Sequence, residues 1–104
     1  MGALFGQRVT LGQGKGPDVD LIVYGDEFYA RYETPEGYPA VYDNDRGQFV
    51  YALLKGGRFV SSGVPVTAPP PKEAVPHVEE APGVRQEKAA RKAARQSPPP
   101  ETKS

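Results

Sequence analysis

The chain has 104 residues, 13 Lys+Arg against 13 Asp+Glu, and no cysteine. That length allows one domain at most; the charge balance excludes the basic excess of a nucleic-acid binder, and the missing cysteine excludes disulfides, thiolate metal sites and cysteine nucleophiles. No stretch approaches the length of a membrane-spanning helix, and no catalytic set of residues can be assembled, so the chain is expected not to be an enzyme by itself.

In chain order, Met1–Phe5 shows neither a charged leader nor an apolar run, so no signal peptide is expected there. Gln7–Leu11 alternates and reads as a strand. Gly12–Pro17 holds three glycines and a proline and reads as a turn. Val19–Tyr24 follows, with Val19, Leu21 and Val23 on one face by the two-residue period. Gly25, Asp26 and Glu27 break the run. Phe28–Thr34 reads as a third strand, and Pro35-Glu36-Gly37 turns it into Tyr38–Tyr42. Pro39 has no N–H, which puts that strand at an edge or makes it start late. Asp43–Gly47 is the next turn, Gln48–Leu54 the clearest strand, Lys55-Gly56-Gly57 a tight hairpin turn and Arg58–Ser62 the last strand. The expected fold is mainly β: a small antiparallel meander or open barrel of about six short strands, followed by a disordered or partly helical tail.

Composition marks where that unit ends. All ten aromatics, six Tyr and four Phe, lie between Phe5 and Phe59, whereas eight of the twelve prolines follow Val66. Residues 1–67 are therefore read as a small Tyr-rich β domain, 68–83 as a Pro-rich linker, 84–96 as an Ala/Arg-rich helical segment and 97–104 as a disordered C-terminus. In the helical segment Glu87 can pair with Arg91 one turn on. A β unit of this size buries only about 60% of its unfolded surface, which makes it marginal alone and suggests that it leans on a partner.

Candidate chemistry is sparse. Gly14-Lys15 is followed by Gly16-Pro17 and a strand, not by the Ser/Thr and helix of a phosphate loop. Asp43, Asn44 and Asp45 lack the Gly and Glu positions of a calcium loop and read as a hairpin turn. Asp26 and Glu27 are neighbours, so in a strand they would point to opposite faces; capping a bend suits them better. His77, the single histidine, has no companion for a zinc site. No metal site and no cofactor are expected in this chain. Tyr24, Tyr29, Tyr32, Tyr38, Tyr42 and Tyr51 outnumber what so small a core can take in. Alternation sends some of them outward, where they would serve either as a binding surface or as cross-strand aromatic pairs.

The run Tyr24-Gly25-Asp26-Glu27-Phe28-Tyr29-Ala30-Arg31-Tyr32-Glu33-Thr34-Pro35-Glu36-Gly37-Tyr38 carries a resemblance. It continues through Val41-Tyr42-Asp43, Gly47, Phe49-Val50-Tyr51-Ala52 and Gly57–Val66. Residues 5–66 resemble the region N-terminal to the catalytic domain in immune-inhibitor-A-like secreted zinc metalloproteases, and the Arg85–Gln96 stretch is similar in kind to the Ala/Arg-rich linker that follows there. The family's zinc-binding HExxH helix is absent from this chain. The resemblance implies a bacterial, extracellular or cell-envelope propeptide-like module that aids folding or latency of a protease domain. Its partner would be that catalytic domain, in cis or in trans, and zinc would sit in the partner only. Removal would occur in the tail, with Lys88, Arg91, Lys92 and Arg95 as candidate cleavage sites. The alternative is a stand-alone β module binding a peptide or glycan through exposed tyrosines, or a truncated remnant.

Overall fold

Alternation sets the strands, and antiparallel pairing follows from the short turns between them. The computed structural model describes residues 4–26 and 28–96. It contains β1 (Leu4–Leu11), β2 (Val19–Gly25), β3 (Ala30–Glu33), β4 (Pro39–Asp43), β5 (Gln48–Lys55), β6 (Arg58–Pro65) and α1 (Pro82–Gln96). Each strand pairs antiparallel with the next, and the sheet stays open, with β1 and β6 at its two ends. The mainly β meander expected from the sequence is therefore the fold. Residues 97–104 and Glu27, for which a disordered end and a bend cap were expected, lie outside the described residues.

The turns use the chemistry their residues offer. Gly56 and Gly57 have φ of 59° and 79°, as a two-residue type I′ hairpin requires. The Asp43 carboxylate accepts from the N–H groups of Asp45 and Arg46 at 3.0 and 3.2 Å, which is the hairpin role expected of that segment. Asp26 caps a bend by accepting from the N–H groups of Phe28 and Tyr29 at 2.9 and 3.0 Å. That bend delays β3, which starts at Ala30 instead of Phe28.

Gly25 enters the bend at φ 123°. A Cβ at Gly25 would overlap the Tyr29 carbonyl oxygen and lie 2.8 Å from the Ala30 Cα. Both obstacles are backbone and cannot swing away. Gly25→Ala is therefore expected to destabilise the protein by well over about 1 kcal/mol. Gly56→Asn, at a position with open space around it, should cost less than about 1 kcal/mol because Asn tolerates the left-handed region. Urea midpoints of the two variants check the contrast.

Pro39 opens β4, which lies between β3 and β5 rather than at an edge. The proline is tolerated because it is the first residue of the strand. Only Tyr32↔Ala40 and Glu33↔Pro39 pair across the β3–β4 junction, and this short seam lets the sheet fold over on itself. The glycine-rich loop after β1 then reaches the far turn: the Lys15 N–H donates to the Gly47 carbonyl at 2.8 Å, and the Phe49 N–H to the Gln13 amide oxygen at 2.6 Å. Val19 and Leu21 of β2 thereby pack with Ala40 and Phe49, and Leu11, Tyr32 and Val66 complete this core.

The segment read as a linker is a strap laid back on the sheet. The Tyr51 hydroxyl donates to the Ala68 carbonyl at 2.6 Å, the His77 N–H to the Gly37 carbonyl at 2.8 Å, and the Ala81 N–H to the Gly57 carbonyl at 2.8 Å. These bonds tie it to β5 and to two turns of the sheet. His77, which the sequence places in the Pro-rich segment, is held against the sheet. Its Nδ1 lies 3.3 Å from a Glu33 oxygen, and its ring sits so close to Gly37 that a Cβ there would meet it at 2.5 Å. Glu33 is buried and also pairs with Arg31. Pro82 then opens α1 at the position where a missing N–H costs nothing.

Candidate functional site

Among the described residues, Glu80 is a buried carboxylate with three donors. Its position at the end of the strap, just before Pro82, turns its side chain into the fold, where it is only 2% exposed. One carboxylate oxygen accepts from the Tyr29 hydroxyl at 2.8 Å. The other accepts from the Phe59 N–H and from the Lys88 ammonium, both at 2.6 Å. Three donors, from the β2–β3 bend, β6 and α1, thus meet one buried acid. The N–H of Phe59 belongs to the end strand β6, so Glu80 also covers an otherwise open sheet edge. Burial, the largest single influence, pushes the Glu80 carboxyl up. The hydrogen bonds from Lys88, Phe59 and Tyr29, with the Lys88 charge, outweigh it and hold the group below the usual carboxylate range. Burial, and then the bond to Glu80, push the Tyr29 hydroxyl in the opposite direction, far above its ordinary value.

The same tether positions α1. An Ala-rich helix of about 15 residues has little stability alone, and the apolar part of its face toward the β2–β3 bend is only Pro82, Ala89, Ala90 and Ala93, beside Arg85 and Gln86. Charges hold it instead: Lys88 to Glu80, and Glu87 to Arg58 at 3.0 Å. The expected Glu87–Arg91 pair is also present. Held in this way, the helix stands off the sheet and leaves a cleft of about 450 Å³. Aromatic rings, among them Phe28, Tyr32, Tyr42 and Phe49, line one side, and Lys88, Arg91 and Lys92 line the other. The rings brace one another: Tyr42 and Phe49 stand edge to face with centroids 5.1 Å apart, and Tyr32 and Phe49 are tilted at 5.7 Å, which fixes their orientation.

The six tyrosines do not form one exposed surface. Tyr51 is buried, and it meets Tyr38 edge to face at 6.0 Å. Tyr32 is half-buried in the core, and Tyr29 is bound to Glu80. Tyr24 is stacked under the Arg31 guanidinium, 4.2 Å from ring centre. Tyr42 is the most exposed of the six at 40%, and its hydroxyl accepts from the Gly14 N–H at 3.2 Å. Register explains the grouping: Tyr32↔Ala40, Ala40↔Tyr51 and Tyr42↔Phe49 are directly opposed, so Tyr32, Tyr38, Tyr42 and Tyr51 share the inner face. What the structure brings together is Tyr29, Tyr32 and Tyr42 with Lys88, Arg91 and Lys92, at one cleft.

Sequence reasoning missed Glu80, Phe28, Phe49 and Phe59 as members of this site. Only one signal pointed to Glu80: a carboxylate next to a small residue and a helix-starting proline. Among the described residues no group of His, Asp and Glu is placed to hold a metal ion.

The candidate cleavage residues Lys88, Arg91, Lys92 and Arg95 all lie within α1, so their peptide bonds become accessible only when the helix unwinds. Lys88 is also tied to Glu80. Trypsin is accordingly expected to cut after Lys92 about tenfold faster than after Lys88, because local opening at the helix end costs less than breaking the tether. Mass spectrometry of early digestion products reads the order. Equal rates would mean that the helix detaches as one unit.

Fold and site together define a small antiparallel β-sheet protein whose C-terminal helix is strapped to the sheet by a buried carboxylate. No described helix is long and apolar enough to cross a membrane. No family model, no curated protein and no solved structure matches the chain.

Proposed function

We propose that the chain is a propeptide-type, non-catalytic module of a secreted zinc metalloprotease, which aids folding or latency of the protease domain. One observation carries the reading: the two stretches of the resemblance, far apart in sequence, meet at one place. Tyr29, Tyr32 and Tyr42 of the first and Lys88, Arg91 and Lys92 of the second line the same cleft. A marginal unit with a preformed aromatic and cationic cleft is suited to docking on a partner. Steric blocking is the form of latency this geometry favours. The chain has no thiolate to place on zinc, His77 is engaged with Glu33 and Gly37, and Glu80 is engaged with three donors. Zinc and the extracellular or envelope compartment belong to the partner in this reading.

The test adds the 104-residue chain to an immune-inhibitor-A-like catalytic domain and follows peptidase activity and refolding yield. Dose-dependent inhibition, or a raised yield of active enzyme, is the expected result. No change in either, with the added chain shown to be folded, overturns the reading and leaves a stand-alone peptide-binding module.

A further inference from the structure

We propose that the cleft between α1 and the aromatic face binds an extended acidic peptide segment in which an aromatic or long apolar residue stands between two carboxylates. The inference rests on the reading of the chain as a docking module and names the chemistry of the segment it docks.

Three features of the cleft lead there. The first is charge. Four cations line it, of which Arg31 is paired with Glu33 and Glu79 and Lys88 with Glu80, so that Arg91 and Lys92 on the helix carry its excess positive charge. Glu80 is satisfied by its three donors, Lys88 among them, and makes no demand on Arg91 or Lys92. Lys92 has no ion-pair partner among the described residues, and Arg91 pairs only with Glu87 while its side chain stays 64% exposed. Lys88 gives one hydrogen bond to Glu80, and an ammonium has three to give. The second feature is the opposite wall, where the rings of Tyr32, Tyr42 and Phe49 are held in place by one another. A cleft of about 450 Å³ is within the range that accepts a large side chain with its flanking backbone.

The third feature is spacing. Lys88 and Lys92 are four residues apart on α1, a rise of about 6 Å. In an extended peptide, residues i and i+2 point to the same side about 6.6 Å apart, and residue i+1 points to the other. Carboxylates at i and i+2 therefore match the helix cations, and an apolar residue at i+1 faces the rings. A nucleic acid has no such apolar residue to offer, and this chain carries no net positive charge to attract one.

The experiment titrates the full chain with the blocked peptide Ser-Glu-Phe-Glu-Ser, using calorimetry and backbone amide NMR. Two control peptides replace both Glu by Lys, or Phe by Ala. Binding of the acidic peptide is expected, with the amides of Tyr32, Tyr42 and Lys92 shifted. Each control should bind at least about tenfold more weakly, and 0.5 M salt should weaken binding several-fold. Lys92→Glu should also lower affinity about tenfold, by setting a like charge against the ligand. Lys92 takes no part in the Glu80 tether, so Lys92→Ala is expected to keep close to the wild-type urea midpoint; Lys92→Glu, which also sets a like charge near Asp26, is the stronger variant and is compared at matched folded fraction. The inference is overturned by equal binding of the Lys-containing control, by indifference to both Lys92 variants, by shifts confined to other surfaces, or by phenylacetate binding as tightly as the peptide. Loss of peptide binding while the chain still inhibits or refolds a catalytic domain sinks this inference alone. Peptide binding without any effect on the protease sinks the propeptide reading alone.

Discussion

Glu80→Ala is expected to be the most damaging single side-chain change, with a loss of about 3 kcal/mol, because removing one member of a buried charged network strands the others. The Tyr29 hydroxyl and the Phe59 N–H lose their acceptor, and Lys88 loses its counter-ion. At about 4–8 °C per kcal/mol for a domain of this size, the melting temperature should fall by about 12–24 °C. Hydrogen exchange at the Phe59 amide should accelerate with it. Glu87→Ala is the control. Its partners Arg58 and Arg91 reach solvent, and exposed pairs contribute little, so its midpoint should move far less. Equal effects of the two variants would show that the strap is not anchored at Glu80.

The same residue gives a pH dependence with a definite sign. The folded-state pKa of Glu80 lies below the usual carboxylate range, so its contribution is complete above the unfolded value and is lost as pH falls through the folded one. Asp43, bonded first by Ser61, and Glu87, bonded first by Arg58, are shifted the same way. Stability should be level from about pH 5 to 8 and should decline below about pH 4. In Glu80→Ala the acid decline should be shallower, because one of the linked protons is gone.

Ending the chain at residue 66, close to where composition places the domain boundary, is expected to abolish cooperative unfolding. Without the strap, the Tyr51 hydroxyl loses the Ala68 carbonyl and the Gly37 carbonyl loses the His77 N–H. Arg31 loses Glu79, and the edge of β6 loses Glu80. A sheet of that length is already marginal, and net stabilities of this order do not survive several such losses. Scanning calorimetry should show no heat-absorption peak. A chain ending at residue 81 keeps the strap but lacks Lys88, and it should retain a peak at a lower temperature. A sharp transition in the 66-residue chain would return the strap to the linker role read for residues 68–83.

Much of the fold was legible because strands and turns are local. Two-residue alternation marks β2 and β5, paired glycines mark the turn after Lys55, and the Asp26 and Asp43 caps act within three residues of themselves. The helix was legible from its Ala, Lys and Arg content over residues 84–96; that it opens two residues earlier, at Pro82 in the segment read as linker, was not. The strap was not legible. Its proline and glutamate content is that of a solvated linker, and what ties it to the sheet are partners 17 to 51 residues away, from Ala68 with Tyr51 to Glu80 with Tyr29.

The aromatic residues divide the same way. Sequence alone determined that Tyr32, Tyr42, Phe49 and Tyr51 fall into register classes that can share a face, because side-chain direction has a period of two. Only the tertiary structure decided that this face turns inward, through a β3–β4 seam two pairs wide that folds the sheet over. It alone decided that the cations of α1 stand opposite those rings, since the helix is held there by a buried carboxylate with donors from the β2–β3 bend, β6 and α1 itself. Local propensity acts over a few residues and is written in their order; a site assembled across the length of the chain exists only once long-range contacts outweigh the entropy of bringing its parts together.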